Sequence, residues 1–153
     1  MRNMLAALSV RSTIQMPKPT EVLFVEDSPG DALLAGQILA ETMLPVKLRI
    51  ARDGVQALTM LADRSFEPVL VILDLSLPYL SGFEVLQRNP RKEIPVVIFS
   101  ASMNQADMDR ALGLGAAAYT HKPMDLQAYR DSVLAMIDLW AGPPTESNGV
   151  GAS

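Results

Sequence analysis

The sequence predicts one α/β domain: a five-stranded parallel sheet with helices on both faces. Three observations carry that expectation. Apolar runs alternate five times with helix-like segments, the pattern of parallel strands joined by right-handed crossovers. The run Val69-Leu70-Val71-Ile72-Leu73 is pure hydrocarbon rich in β-branched side chains, as a strand buried on both faces requires. Acids stand where apolar runs end: Glu26 and Asp27 after Val22-Leu23-Phe24-Val25, and Asp74 after Leu73. A carboxylate cannot stay charged inside such a strand, but it can at the strand's mouth.

The elements follow in order. Strands are expected at Glu21–Glu26, Val46–Ala51, Val69–Asp74, Pro95–Ser100 and Ala116–Tyr119, with helices near Pro29–Met43, Gly54–Arg64, Gly82–Arg88, Gln105–Leu112 and Leu126–Trp140. Ser28, Pro29 and Asp31 give the first helix a cap, a proline at its first position and an acid near the positive end of its dipole. Ser81-Gly82-Phe83-Glu84 fits a capping box for the third helix, and Gly113 and Gly115 suit the end of the fourth. Asp125 caps the last helix, where Leu126, Tyr129, Val133, Ile137 and Trp140 recur every three or four residues as a core-facing stripe. The short loop Asn89–Ile94 predicts a trimmed third helix or exit. Residues 1–19 read as a flexible leader, 20–141 as the domain and 142–153 as a Gly/Pro/Ser-rich tail. No segment is expected to remain for an output domain.

Composition removes several function classes. A chain of 153 residues with 49% hydrophobic content holds one core, and no apolar run approaches the roughly 20 residues that span a bilayer. There is no cysteine, hence no disulfide and no thiolate zinc site, and one histidine cannot build a multi-histidine metal centre. A net charge of −4 without a Lys/Arg cluster speaks against a nucleic-acid groove. Met4-Leu5-Ala6-Ala7-Leu8 mimics a secretion signal, but the stretch is short and Arg11 follows without a small-residue cleavage site. A cytoplasmic protein is the expectation. The nine methionines are read as core filler, with Met103 and Met108 near the fourth helix set apart.

In an open parallel sheet ligands are met at the carboxyl ends of the strands. Glu26, Asp27 and Asp74 cluster there if the first and third strands are neighbours, and Lys122 follows the last strand. Three close carboxylates repel one another unless a cation neutralises them, and an all-oxygen donor set suits Mg²⁺. Taken singly, Asp27 reads equally well as a helix cap and Asp74 as a strand terminator; the grouping with Lys122 favours a site.

These residues resemble the receiver domains of two-component response regulators, over about Thr20 to Leu139. The resemblance rests on Phe24-Val25-Glu26-Asp27-Ser28, Ala51-Arg52-Asp53-Gly54, Leu73-Asp74-Leu75-Ser76-Leu77-Pro78, Ser81-Gly82, Phe99-Ser100-Ala101 and Tyr119-Thr120-His121-Lys122-Pro123. The Glu-Asp-Ser-Pro-Gly-Asp opening and Trp140 are similar to the stand-alone regulators that partner bacterial phytochromes. The resemblance implies a flavodoxin-like (βα)5 fold with strand order 2-1-3-4-5. It implies that Asp74 takes a phosphoryl group from a sensor histidine kinase as an aspartyl phosphate. Asp27 and Asp74 would bind Mg²⁺ through their side chains, Ser76 through its carbonyl and Glu26 directly or through water. Lys122 would meet the phosphoryl oxygens, Ser100 would hydrogen-bond one of them, and Tyr119 would swing into the space Ser100 vacates. A cis Lys122-Pro123 bond is also implied. Those phytochrome regulators often carry Asn where Ser76 stands, a position that bears on phosphate lifetime.

His121 reads as a surface residue rather than a catalytic base, since it lacks an orienting network. The face of the fourth helix, fifth strand and fifth helix is the candidate homodimer surface, with Trp140 either its anchor or a lid on the core. Output would pass to a downstream protein or along a phosphorelay, not directly to nucleic acid and not to a membrane. Other functions fit less well. An aspartate-nucleophile phosphatase lacks a general acid two positions after Asp74, where Ser76 stands. No Gly-x-Gly-x-x-Gly opens the first helix for a nucleotide. A pseudo-receiver that binds proteins without taking phosphate is the remaining alternative.

Overall fold

The structure, a computed structural model, describes residues 19–142. The expected leader before Pro19 and tail after Gly142 lie outside the described residues. Five strands, β1 (Thr20–Val25), β2 (Val46–Ala51), β3 (Leu70–Leu73), β4 (Val96–Ser100) and β5 (Ala118–His121), alternate with five helices. The helices are α1 (Pro29–Glu41), α2 (Gly54–Ala62), α3 (Gly82–Arg88), α4 (Gln105–Gly113) and α5 (Leu126–Ala141). All strand pairs are parallel, in the order β2-β1-β3-β4-β5, the expected doubly wound, flavodoxin-like arrangement.

Alternation along the strands divides the core in two. Leu23, Val25, Val71, Leu73, Val96 and Ile98 pack with Ala57 and Leu61 of α2, Val85 and Leu86 of α3 and Ala111 of α4. Val22, Phe24, Leu70, Ile72, Val97 and Phe99 face the other way, against Ala35, Ile38 and Leu39 of α1 and Tyr129, Val133, Met136 and Ile137 of α5. β3 and β4 are buried throughout, whereas β2, at the edge, alternates between half-buried and exposed up to its last residue, the buried Ala51.

The helix starts are held by side chains. Ser28, Asp53, Ser81, Asn104 and Asp125 each accept a hydrogen bond from a backbone N–H of the first turn. At Ser81 this is the forward half of the capping box, the N–H of Glu84 donating to Ser81 Oγ at 3.3 Å. Gly115, at φ +106°, turns the chain out of α4.

Several expectations are corrected. β5 begins at Ala118 rather than Ala116, because the Ala116 N–H is still bonded back to the Ala111 carbonyl of α4. The strand also runs past Tyr119 to His121, which pairs with Ser100 in the register. α1 stops at Glu41, where Thr42 caps it through the Leu39 carbonyl, and α2 stops at Ala62 with Asp63 as its cap. Leu126 leaves the core stripe of α5, being first in the helix and 64% exposed, and Met136 fills the stripe instead. Among the described methionines only Met136 is buried, while Met43, Met103 and Met124 stand exposed. The described peptide bonds are all trans, Lys122-Pro123 included; an X-Pro bond favours trans by ~0.5–1 kcal/mol, so trans is its ordinary state.

The short exit from α3 holds an arrangement that composition concealed. Arg91 is buried, and its guanidinium donates to the Phe66 carbonyl at 2.9 Å and reaches the Leu61 and Asp63 carbonyls at 3.5 Å. Next to it, Lys92 Nζ donates to the Leu86 and Gln87 carbonyls at 2.7 and 3.1 Å. Two consecutive cations thus satisfy the carbonyl ends of two helices, α2 and α3, where the dipole favours positive charge. Asn89 is buried too and accepts from the Arg91 N–H at 2.9 Å.

Gly82 lets α3 start directly against the chain that follows β3. A Cβ there would lie 2.7 Å from Leu75 Cα and collide with the Asp74 carbonyl. Gly82→Ala is therefore expected to destabilise the fold by about 1–3 kcal/mol, read from the urea midpoint at constant slope. Arg91→Ala strands buried carbonyls and is expected to cost about 2–3 kcal/mol in the same assay.

Candidate functional site

Strand order brings the acids together. β1 and β3 are hydrogen-bonded neighbours, with Val25 beside Leu73, so the residues after them emerge side by side. The ladder runs one residue past each strand: Glu26 N–H donates to the Ala51 carbonyl at 2.9 Å and Asp74 N–H to the Val25 carbonyl at 3.1 Å. Backbone bonds thus fix both acids before their side chains make any contact. Lys122, just beyond β5, is held likewise by its N–H to the Ser100 carbonyl at 2.7 Å.

Carboxylate oxygens of Glu26, Asp27 and Asp74 all lie within 4.8 Å of one another. Glu26 is 2% exposed and Asp74 8%, whereas Asp27 is exposed to solvent. The ammonium of Lys122 donates to Glu26 Oε1 and, at 3.1 Å, to Asp74 Oδ2. The other Glu26 oxygen accepts the Ser28 N–H at 3.2 Å, and Asp74 Oδ1 accepts the Ser76 N–H at 3.1 Å. No described buried side-chain nitrogen or oxygen lacks a partner. Oxygen donors without nitrogen or sulfur suit a hard divalent cation held by one or two carboxylates and water.

Charge balance follows from burial. Glu26 is pushed up to about 7 chiefly by burial, with Asp74 adding to the rise and Lys122 and the Ser28 N–H opposing it. Burial alone would lower Lys122, but its bond to Glu26 and the charges of Asp74 and Glu26 outweigh that and raise it, so it stays an ammonium. Burial, then the charge of Asp31, raises the Tyr129 phenol, which remains protonated.

The remaining expected residues occupy the neighbouring strand ends. Ser100 is buried, and its hydroxyl oxygen accepts the Ser102 N–H at 3.3 Å. Tyr119 is half-buried against the α2–α4 core and its hydroxyl donates to the Ser102 carbonyl at 2.8 Å. Ser76 is exposed at the turn after Asp74, and His121 is exposed. Trp140 packs half-buried on the α1–α5 core, beside an exposed Leu139.

One residue of the site escaped sequence reasoning. Asp31 Oδ2 lies 3.4 Å from Lys122 Nζ, a third carboxylate on the same ammonium. Its position in the first turn of α1, one helical turn past Asp27, was the available signal, but a helix-dipole role accounted for it. In the loop that follows Asp74, outside the site, Tyr79 sits at φ +68°, 84% exposed, and the Leu80 N–H closes a three-residue turn onto the Pro78 carbonyl at 2.8 Å. Such γ-turns are rare and strained, and the sequence gives no local sign of one. Beside the ammonium a cavity of about 290 Å³ opens between Asp31, Leu34, Ala101, Pro123 and Met124.

Comparison with known proteins agrees with this geometry. The family model described as "Response regulator receiver domain" matches residues 22–134. Response regulator Rcp1 of Synechocystis sp. is 34% identical over 131 residues, covering 80% of this chain and 89% of Rcp1. The crystal structure of the Mn²⁺-bound form of Rcp1 superposes with a TM-score of 0.74 at 32% identity, over 83% of this chain and 98% of that one. The crystal structure of the phosphorylated cyanobacterial phytochrome response regulator RcpA gives 0.75 at 30% identity, over 82% and 96%.

A pH dependence follows from Glu26. Its folded value of about 7 lies above the ordinary 4.5, so the fold favours the protonated acid. That contribution is complete below about pH 4.5 and is lost as pH rises through about 7. Without divalent cations, urea stability is expected to fall between about pH 5 and pH 8, and Glu26→Gln is expected to flatten that slope. An equal slope in the variant would assign the effect elsewhere.

Proposed function

The chain belongs to the response regulator receiver family, and from that premise we propose that it accepts a phosphoryl group from a sensor histidine kinase on Asp74, in a Mg²⁺-dependent reaction, and signals by a change of its surface. The observation that carries the proposal is the meeting of Asp74, two further acids and the Lys122 ammonium at one sheet edge. The receiver body is assigned to residues 20–141.

Asp74 is the nucleophile: an oxygen of its carboxylate attacks phosphorus, the P–N bond of the phosphohistidine breaks, and an aspartyl phosphate forms. The hydrogen bond from the Ser76 N–H to Oδ1 orients that carboxylate. Lys122 already sits 3.1 Å from Oδ2, positioned to meet the anionic oxygens of the incoming group without reorganisation. Glu26 and Asp31 hold the ammonium in place from its other sides. Asp27, Asp74, the Ser76 carbonyl and Glu26, directly or through water, would hold Mg²⁺, which would supply positive charge for a loose, anionic transition state. The Mn²⁺-bound form of Rcp1 supports a divalent cation as the occupant of this acid cluster. Ser100 offers a buried hydroxyl at the end of β4 for a phosphoryl oxygen, and Tyr119 is the side chain that responds to its movement.

The partner is a histidine kinase, and the description of RcpA as a phytochrome response regulator supports a phytochrome-type one. Output passes to a downstream protein or along a phosphorelay, in the cytoplasm. A homodimer would use the face of α4, β5 and α5, where Leu139 is exposed. None of the helices searched among the described residues is long and apolar enough to cross a membrane.

With phosphoramidate and Mg²⁺, the protein is expected to gain the mass of one phosphoryl group and Asp74→Asn to gain none. Labelling of that variant at the wild-type level would overturn the assignment. Phosphotransfer profiling against a panel of histidine kinases is expected to single out a phytochrome-type donor.

A further inference from the structure

The cavity of about 290 Å³ beside Lys122 has a largely apolar wall, built by Leu34, Met124 and Leu126 among others. Among its lining residues Asp31 brings the only carboxylate. Asp31 is held there from two sides. Its N–H donates to the Ser28 hydroxyl at 3.3 Å, and its carbonyl accepts the Tyr129 hydroxyl at 3.5 Å. The Tyr129 ring is itself fixed, buried and tilted 50° to Phe99 with 5.3 Å between ring centroids. The Asp31 carboxylate meets the Lys122 ammonium at 3.4 Å, the longest of that ammonium's three ion pairs, and its side chain is still 36% exposed. Part of its charge therefore faces the cavity and solvent rather than the lysine.

A phosphodonor that lays its phosphoryl oxygens against Lys122 brings its leaving group to this opening, because Lys122 itself lines the cavity. The charge of the leaving group then matters. An Asp74 oxygen attacks phosphorus in every case. With phosphoramidate or a phosphohistidine the P–N bond breaks, and the nitrogen, protonated beforehand, departs as neutral ammonia or imidazole. With an acyl phosphate the P–O bond breaks, and the electron pair leaves on a carboxylate. Asp31 attracts the protonated nitrogen group and repels the carboxylate as it gathers charge. Both effects are stronger where hydrocarbon walls displace water. Lys122 does not cancel the difference, since it faces phosphoryl oxygens that both kinds of donor share.

We propose that Asp31 is a specificity-determining residue, whose carboxylate at the cavity selects phosphodonors with a nitrogen leaving group over acyl phosphates. This rests on the reading of Asp74 as the phosphoacceptor. The hold of Asp31 on Lys122 and its place at the helix dipole act on every donor alike. A ratio of rates between two donors therefore isolates the selection by charge.

The test compares the wild type with Asp31→Asn and the charge-conserving Asp31→Glu. Initial rates of phosphoryl uptake are read by mass at several concentrations of acetyl phosphate and of phosphoramidate, each with Mg²⁺. The second-order rate constant for acetyl phosphate is divided by that for phosphoramidate. This ratio is expected to rise about fivefold in Asp31→Asn, the size of a water-screened interaction between two unit charges. In Asp31→Glu it should stay within about twofold of the wild type, because the charge is kept. Salt tests the same point in the wild type itself. Raising ionic strength from about 0.01 M to about 1 M shortens the screening length from about 30 Å to about 3 Å, so the wild-type ratio should climb. In Asp31→Asn it should climb much less. An unchanged ratio in Asp31→Asn, an equal rise in Asp31→Glu, or a wild-type ratio indifferent to salt would overturn the inference. A wild type that gains no phosphoryl mass from either donor would instead sink the phosphoacceptor reading, and the selection with it.

Discussion

One ammonium lets the acidic edge of this sheet exist under cover. Lys122 Nζ meets Glu26, Asp74 and Asp31 together, and Glu26 and Asp74 are almost wholly withdrawn from water. Withdrawing a carboxylate from water costs several kcal/mol by the usual order of magnitude, and a single cation shared among three acids offsets only part of that. The shortfall appears on Glu26, the more buried acid, which is driven toward its protonated form. A site left short of positive charge in this way is disposed to take up a cation, and it offers that cation only oxygen ligands. Charge shortage and donor type therefore point the same way.

The rest of the structure serves that meeting. Glu26 and Lys122 are 96 residues apart in the chain and Asp74 and Lys122 are 48 apart. Only the crossover that sets β1 beside β3, with β4 and β5 following in order, brings their ends to one edge. Ladder bonds continue past the strands to fix the backbone of both acids, and the missing side chain at Gly82 lets α3 close against the Asp74–Leu75 backbone. Arg91, from a buried position, and the exposed Lys92 close the far ends of α2 and α3 with cations.

From the acid edge, hydrogen bonds lead outward in one direction. Ser100 belongs to the strand next to Asp74, Ser102 is bonded to Ser100, and Tyr119 and Asp107 are bonded to Ser102. A local change of charge becomes a change of surface only if such a chain has two discrete arrangements, since packed cores do not deform continuously. The cavity by Met103 and Met108 lies where this chain reaches solvent.

The sequence by itself determined the alternation of elements, the buried strands, three of the helix caps and the acids that end β1 and β3. These follow from hydrophobic period and cap chemistry, which act over one to four residues. The grouping of those acids with Lys122 was legible only on the condition that β1 and β3 are neighbours, and resemblance supplied the strand order. Tertiary structure alone decided that Arg91 is buried, that Leu126 is not, that Asp31 joins the ammonium, that Tyr79 is strained and that Ser102 joins three elements. Each of these depends on which distant segment a side chain meets. Arg91 reads as a solvated cation until the carbonyls at the end of α2 stand before it, and Leu126 reads as core until its place in the first turn sets it over the cavity beside Lys122.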